Sequence, residues 1–328
     1  MTAEKKKILF ITGTRADFGK LKPLMEKVEN SSEFECYIFS TGMHTLSRYG
    51  STYDEILKSG FRNVFLYINQ MANQSSAMDI ILANTINGFG HYVREFSPDL
   101  IVVHGDRVET LAGAIVGTLN NILVAHIEGG EVSGTVDELL RHAVSKLAHI
   151  HFVANEESLQ RLIQMGEVKD SIYVIGSPDI DVMLSDRLPS LHEAKQYYGI
   201  PFDEYFLFLY HPVTTELHQL VNGVDAIVGT LEESGKNFIV VYPNHAKGSE
   251  LILEALLKLE GNEHFRPFPS LRFEYFLTLL RPTEKTTSLH FGSGKSSEKF
   301  INIIKQSAFW QRSCQKQFQD LVIPQLRE

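Results

Sequence analysis

Short apolar, β-branched runs recur through the first half of the chain, each followed by a stretch with helical spacing. This alternation restricts the fold more than any other feature. The runs are Lys7–Thr12, Glu35–Ser40, Asn63–Ile68, Leu100–His104, Ile122–Ile127, Ile150–Val153 and Ile172–Ile175, and helix-like segments such as Leu21–Glu29, Ala77–Glu95 and Glu138–Ala148 separate them. The runs are continuously apolar, which is the pattern of strands buried on both faces. Strands alternating with helices form right-handed βαβ units on a parallel sheet. The first half is therefore expected to be an α/β, doubly wound, Rossmann-like domain spanning residues 1–184.

A polar stretch, Ser185–Glu193, reads as an inter-domain linker. A second α/β pattern follows over 185–295, with strands at Tyr205–Tyr210, Phe238–Tyr242 and Phe265–Phe268 and helices at Ala226–Ser234 and Glu250–Glu260. The last segment, 296–328, is expected to hold one helix, Glu298–Gln317, packing back on the first domain through Phe300, Ile303, Ile304 and Phe309. Three strands are fewer than the usual ~4–6 of a sheet. The apolar pattern also stops after Leu280, where Arg281–Ser288 is polar.

A chain of 328 residues with 43% hydrophobic content can bury one large core or two ordinary ones. Its net charge of -9 repels phosphodiester backbones, so no nucleic-acid partner is expected. Cys36 and Cys314 match no zinc spacing and exclude a disulfide framework. The apolar run after the first lysines is too short for a secretory signal, and no later stretch is apolar for long enough to span a bilayer. The expectation is a soluble cytoplasmic protein with no membrane partner.

In open α/β sheets ligands bind outside the carboxyl ends of the strands. The residues just after the runs are Gly13-Thr14-Arg15-Ala16-Asp17, Thr41-Gly42-Met43-His44, Gly105-Asp106-Arg107, Glu128-Gly129-Gly130-Glu131 and Gly176-Ser177-Pro178-Asp179. In the second half they are His211–Glu216 and Pro243–Lys247. Glycine permits close backbone approach, arginine offers a planar fork for phosphate, and carboxylates with histidines offer proton transfer. Asp137, Glu138, Arg141 and His142 open a helix after the Glu131–Thr135 loop, with 137 and 141 on one face.

Other motifs fail. Gly13 begins no G-x-G-x-x-G. Gly292–Ser296 resembles a phosphate loop, but its first glycine position holds Leu289. No histidine–carboxylate set has metal spacing, no nucleophile elbow is present, and His149 and His151 read as core or surface histidines.

Together the blocks GTRADFGKLKPLM (13–25), TGMHTLSRYG (41–50), HGDR (104–107), HIEGGEVSGTVDELLRHAVSKLAHIH (126–151), GSPDIDV (176–182) and HPVTTE (211–216) resemble the hydrolysing UDP-N-acetylglucosamine 2-epimerases of sialic acid synthesis. The resemblance covers residues 6–280 and a short piece near Phe291–Ile304. It implies two Rossmann-like domains in a glycosyltransferase-B-like arrangement, with a UDP-sugar in the cleft between them. It implies conversion of UDP-N-acetylglucosamine and water to N-acetylmannosamine and UDP, with no cofactor and no metal. By resemblance, Asp106, Glu128 and Asp137 are acid/base carboxylates, and His211 assists the leaving phosphate or completes the closed site. Arg15 and Arg107 would hold nucleotide or phosphate, and His44, Glu131, Arg141 and His142 would line the sugar pocket. The resemblance also implies a homo-oligomer, dimer or tetramer, through the first domain. Clustered carboxylates are expected to raise one another's proton affinity, which suits proton shuttling near neutrality. Which carboxylate takes the proton and which returns it stays open.

One departure matters. In this family the helix resembling Phe273–Leu280 leads to another strand and then an NSS-x-G-x-R-E motif facing the phosphates; here Leu280 runs into RPTEKTTSLHFGSG. The expectation is an internal gap near Leu280–Arg281 of one βαβ-sized unit, ~30 residues or more, leaving the second domain incomplete. The readings kept open are the epimerase, a catalytically impaired sugar-nucleotide-binding relic, an epimerase for a related UDP-diacetamido sugar, and a glycosyltransferase of the same architecture.

Overall fold

The first strand shows why its sequence has no polar face. In the computed structural model, Ile8 and Phe10 enter one hydrophobic cluster while Leu9 and Ile11 enter another on the opposite side of the sheet. Leu100 and Val102 likewise oppose Ile101 and Val103. Successive strand side chains point to opposite faces, so a strand covered on both sides must be apolar at every position. Each fully buried side chain of this size contributes roughly 1.5–3 kcal/mol. The structure describes residues 4–46, 52–71, 77–186, 188–212, 217–243, 248–280 and 288–320.

Two compact units result. The described residues 4–186 and 288–320 form the first and 188–280 the second. The first unit runs β1 (Lys6–Thr12), α1 (Arg15–Glu29), β2 (Phe34–Ser40), α2 (Tyr53–Lys58), β3 (Val64–Leu66), α3 (Met78–Phe96), β4 (Leu100–His104), α4 (Val108–Leu119), β5 (Leu123–Ile127), α5 (Val136–Leu147), β6 (Ile150–Val153), α6 (Glu156–Gln164), β7 (Ile172–Val174) and α7 (Pro178–Met183). The second runs α8 (Leu191–Tyr198), β8 (Phe206–Leu209), α9 (Leu217–Glu233), β9 (Phe238–Val241), α10 (Ser249–Leu257), β10 (Phe265–Phe268) and α11 (Phe273–Leu279). The chain then returns to the first unit with α12 (Ser296–Ile304) and α13 (Ser307–Trp310).

The first sheet is parallel, with strand order β3-β2-β1-β4-β5-β6-β7. The order reverses between β1 and β4, which opens a crevice at their carboxyl ends. The second sheet, among the described residues, has three parallel strands in the order β10-β9-β8. The architecture is α/β with two Rossmann-like units, of the glycosyltransferase-B-like class.

Several boundaries differ from the sequence expectation, each for a local reason. α1 starts at Arg15 rather than Leu21, because the Thr14 hydroxyl caps it by accepting from Asp17 N at 3.1 Å. The GTRAD segment is thus a cap and first helical turn. β3 is shorter than expected; it is an edge strand whose Phe65 is 42% exposed. The long helix expected over 298–317 is two pieces, since Phe309 turns into the first unit's core and Trp310 Nε1 donates to Ile304 O at 2.7 Å.

The first unit also takes in residues from Ser288 on, which sequence reasoning divided at 295. Ser177 N donates to Phe291 O at 2.7 Å, and the Asp181 carboxylate accepts from the backbone of Ser296 and Ser297 at 2.8 Å each. Phe300 lies against Phe10 and Phe152, with ring centroids 6.4 and 4.9 Å away. Beyond α13 the chain is irregular but held. His149 Nδ1 accepts from Val124 N, so its Nε2 carries the proton and donates to Cys314 O at 3.0 Å. Lys316 Nζ reaches the carbonyls of Ser145, Lys146 and Ala148 at the end of α5, supplying partners those helix-terminal groups lack within the helix. Among the described residues, no helix is long and apolar enough to cross a membrane.

Candidate active site

The crevice at the carboxyl ends of β1, β4 and β5 carries a line of buried charge. His104 ends β4 and is 8% exposed; its Nδ1 lies 2.9 Å from Asp17 Oδ1 and its Nε2 3.0 Å from Glu128 Oε2. Asp17, in the first turn of α1, also accepts from Gly13 N at 3.0 Å. Lys20, one turn further along α1, places Nζ 3.2 Å from Glu128 and 3.0 Å from Asp179. Ser177 Oγ contacts the Glu128 carboxylate and lies 2.6 Å from Asp179 Oδ1, so one hydroxyl proton is shared between two acceptors.

Burial opposes the charge on each of these groups, and their partners overcome it. The His104 ring is raised to about 9 by Glu128 and Asp17 despite its burial. Burial would raise Glu128, yet His104 and Lys20 hold it well below the usual carboxylate range. Asp17 is lowered by His104 in the same way, and Lys20 is raised by Glu128 and Asp179. Glu128 also sits at φ 60, a left-handed conformation that costs a non-glycine residue roughly 1–2 kcal/mol and that collects at functional sites.

A second group adjoins the first. The Arg141 guanidinium, from α5, contacts the Asp106 carboxylate and approaches Glu128 O at 3.5 Å. Asp137 begins the same helix, where Thr135 Oγ1 accepts from its backbone N at 3.3 Å and donates to its carboxylate at 3.2 Å. Burial and then the Asp106 charge raise the proton affinity of Asp137, against the lowering effects of Thr135, Arg107 and Arg141. The expectation that clustered carboxylates raise one another therefore holds at Asp137 and is reversed at Glu128. The reversal follows from the two cations at hydrogen-bond distance, which outweigh any neighbouring anion. Arg141 Nε and His142 Nδ1 are buried with no hydrogen-bond partner among the described residues, as donors and acceptors facing a ligand site would be.

Arg15 pairs with Glu55 of α2 at 2.6 Å, and Arg107 with the buried Glu109 at 3.2 Å. Glu109 fills the space beside Gly42, where a Cβ would meet its carboxylate at 2.5 Å and Gly13 O at 2.6 Å; φ there is +62, so only glycine fits without strain. His44 is fully buried between hydroxyls, with Nε2 3.1 Å from Thr12 Oγ1 and Nδ1 2.6 Å from Thr52 Oγ1, and burial lowers its ring to about 4. Glu131 accepts from Ser158 Oγ at 2.8 Å, and His142 lies 3.8 Å from Glu138. His211 follows β8 in the second unit. Residues 213–216, 244–247 and 47–50 of the quoted blocks lie outside the described residues. Among the described residues, no cluster of histidine, cysteine or carboxylates is arranged to hold a metal.

Sequence reasoning assigned no role to Asp17, Lys20, His104, Ser177 or Asp179. Asp17, His104, Ser177 and Asp179 lie at or just past a strand end, and Lys20 follows Asp17 by one helical turn on the same face. Those positions were the available signal.

Comparison with known proteins adds a family. The family model described as UDP-N-acetylglucosamine 2-epimerase matches residues 26–288. A Neisseria meningitidis protein named UDP-N-acetylglucosamine 2-epimerase is 51% identical over 276 residues, covering 84% of this chain and 72% of that protein. A Legionella pneumophila protein named UDP-N,N'-diacetylbacillosamine 2-epimerase (hydrolyzing) is 36% identical over 277 residues, covering 84% and 74%. The Methanocaldococcus jannaschii UDP-GlcNAc 2-epimerase, solved with UDP-GlcNAc and UDP, matches with a TM-score of 0.70 at 23% identity, covering 83% of this chain and 76% of that one.

Proposed function

Since this chain belongs to the UDP-N-acetylglucosamine 2-epimerase family, we propose that it is a hydrolysing enzyme converting UDP-N-acetylglucosamine and water to N-acetylmannosamine and UDP, for sialic acid synthesis. The same reading takes it as a cytoplasmic homo-oligomer assembled through the first unit. The observation that carries the proposal is the pairing of opposite protonation tendencies around Arg141: Glu128 held ionised, Asp137 with raised proton affinity.

The C2 proton of the sugar has no adjacent carbonyl to acidify it, so its removal is coupled to departure of UDP. The C1–O bond to UDP breaks, the C2 proton passes to a base, and a C1–C2 double bond forms. Water then adds its oxygen to C1, and a proton returns to C2 from the opposite face. Asp137, whose proton affinity is raised by burial and by Asp106, is taken as the group for proton transfer. Glu128, ionised by its cations, supplies fixed negative charge to the positive character that develops at C1. Arg15 and Arg107 serve the departing phosphates, and His44, Glu131, Arg141 and His142 shape the sugar site.

The test is incubation of the full chain with UDP-N-acetylglucosamine and no acceptor, followed by NMR. Free UDP together with N-acetylmannosamine, and ~10²–10⁴-fold slower turnover in Asp137→Asn, are expected. A UDP-linked epimer as product, or no product, would overturn the reading. The Legionella relative's substrate favours one second reading: turnover of a UDP-diacetamido sugar in place of UDP-N-acetylglucosamine.

A further inference from the structure

We propose that Asp17 and His104 are positioning residues for Glu128: the imidazole, seated between two carboxylates, keeps the Glu128 side chain aimed and ionised while taking no part in bond making. The inference rests on the reading of Glu128 as the fixed anion of the site.

The geometry determines where the ring protons are. Nδ1 faces Asp17 Oδ1 at 2.9 Å and Nε2 faces Glu128 Oε2 at 3.0 Å. An ionised carboxylate only accepts hydrogen bonds. The Nε2 contact is a hydrogen bond and the Nδ1 contact an ion-pair approach outside hydrogen-bond geometry; a neutral ring would hold a lone pair against one of the two carboxylates, so both nitrogens carry protons. His126, one strand away, is the internal contrast. Its Nε2 faces Gly105 O at 2.8 Å and its Nδ1 faces Ser145 Oγ, so it can stay neutral, and burial keeps it so.

Asp17 is itself fixed by the backbone N–H of Gly13 and by its place in the capped first turn of α1. The β1–α1 turn therefore sets the charge of a ring at the end of β4, and that ring sets a carboxylate at the end of β5. The charged groups facing Glu128 from the surrounding elements are His104 from β4, Lys20 from α1 with Asp179 of α7 behind it, and Arg141 of α5 at its carbonyl. Removing the Asp17 charge weakens one of three cations without touching Glu128.

The sign of the effect follows. In Asp17→Asn the His104 ring gives up its second proton at lower pH, and Glu128, with a weaker cation beside it, is protonated at higher pH. The alkaline limb of the kcat/KM profile for UDP-N-acetylglucosamine moves to lower pH, by about one unit for loss of one adjacent charge, while the acid limb, which belongs to Asp137, stays in place. A merely structural role would lower the rate equally at every pH.

Two readouts on the full chain test this. Nitrogen-15 NMR of labelled histidine rings at pH 8 is expected to show one doubly protonated ring in the wild type, absent in His104→Gln and titrating at lower pH in Asp17→Asn. A neutral His104 ring at pH 8, or a pH profile whose alkaline limb stays in place while its height falls, would overturn the proposal. If the wild-type chain releases no UDP, the proposed function fails, and the NMR readout by itself decides the proposal. If Asp17→Asn does not fold, His104→Gln, which keeps a donor and loses the titrating ring, is expected to lose the alkaline limb; a limb that stays where it is in the wild type would overturn the proposal.

Discussion

At the scale of single residues, two buried histidines of the first unit shift in opposite directions, because their neighbours differ. His104 has two carboxylate neighbours and is raised to about 9. His44 has two hydroxyl neighbours and is lowered from 6.5 to about 4. Linkage gives each a signature. The His104 contribution is fully present below pH 6.5 and is lost as pH rises through about 9. The His44 contribution runs the other way: the unfolded chain takes up a proton below about 6.5 and the folded ring does not until about 4. Stability therefore falls across that window, by on the order of 3 kcal/mol at about 1.4 kcal/mol per tenfold change in proton affinity. Urea denaturation of wild type and His44→Gln at pH 7.5 and 4.5 measures it. The loss on acidification is expected to be smaller in the variant; equal losses would remove His44 from the account. The contrast could not be read from sequence, where His44 and His104 both appear as a histidine at the carboxyl end of an apolar run.

At the scale of elements, strand positions were legible and helix ends were not. β4, β6 and β10 lie where their apolar runs predict. α1 begins six residues early because a hydroxyl cap and an acid in the first turn convert a polar turn into helix. α12 was legible from its apolar spacing, whereas its end at Ile304 was not, since Phe309 and Trp310 are diverted by tertiary contacts. These contacts make α12 part of the first core. Phe300 is fully buried against Phe10 and Phe152, and Phe300→Ala is expected to destabilise the first unit by about 3–5 kcal/mol, read as the shift of the denaturation midpoint at constant slope. A shift below 1 kcal/mol would mean that the helix is an appendage.

At the scale of the whole molecule, the two units are unequal. Seven strands form the first sheet, and three form the second among the described residues. In the second, β8 is an edge with Phe206 58% and Leu209 42% exposed, the kind of open edge that larger sheets cover or pair. The gap that the family resemblance implies near Leu280–Arg281 would take away a helix N-terminus, which is a ready anion site. We expect this chain to bind UDP at least tenfold more weakly than the Neisseria relative under one condition, about 1.4 kcal/mol, by calorimetric titration. Equal affinity would remove the expected gap from the account of nucleotide binding.

The alternation of apolar runs with helical segments determined the parallel, doubly covered sheet, and with it the end of the sheet where chemistry gathers. Those are consequences of local periodicity, which a chain carries at every position. Which side chains meet there was decided by folding. Asp17, His104 and Glu128 are 87 and 24 residues apart along the chain, and the return of residues beyond 288 to the first unit depends on contacts with Ser177 and Asp181 more than a hundred residues earlier. The charge on a buried group is set by the atoms within a few ångströms of it. Periodicity assigns a residue to a strand end or a helix face, and the neighbour that supplies or removes a proton is chosen by the packing of distant segments.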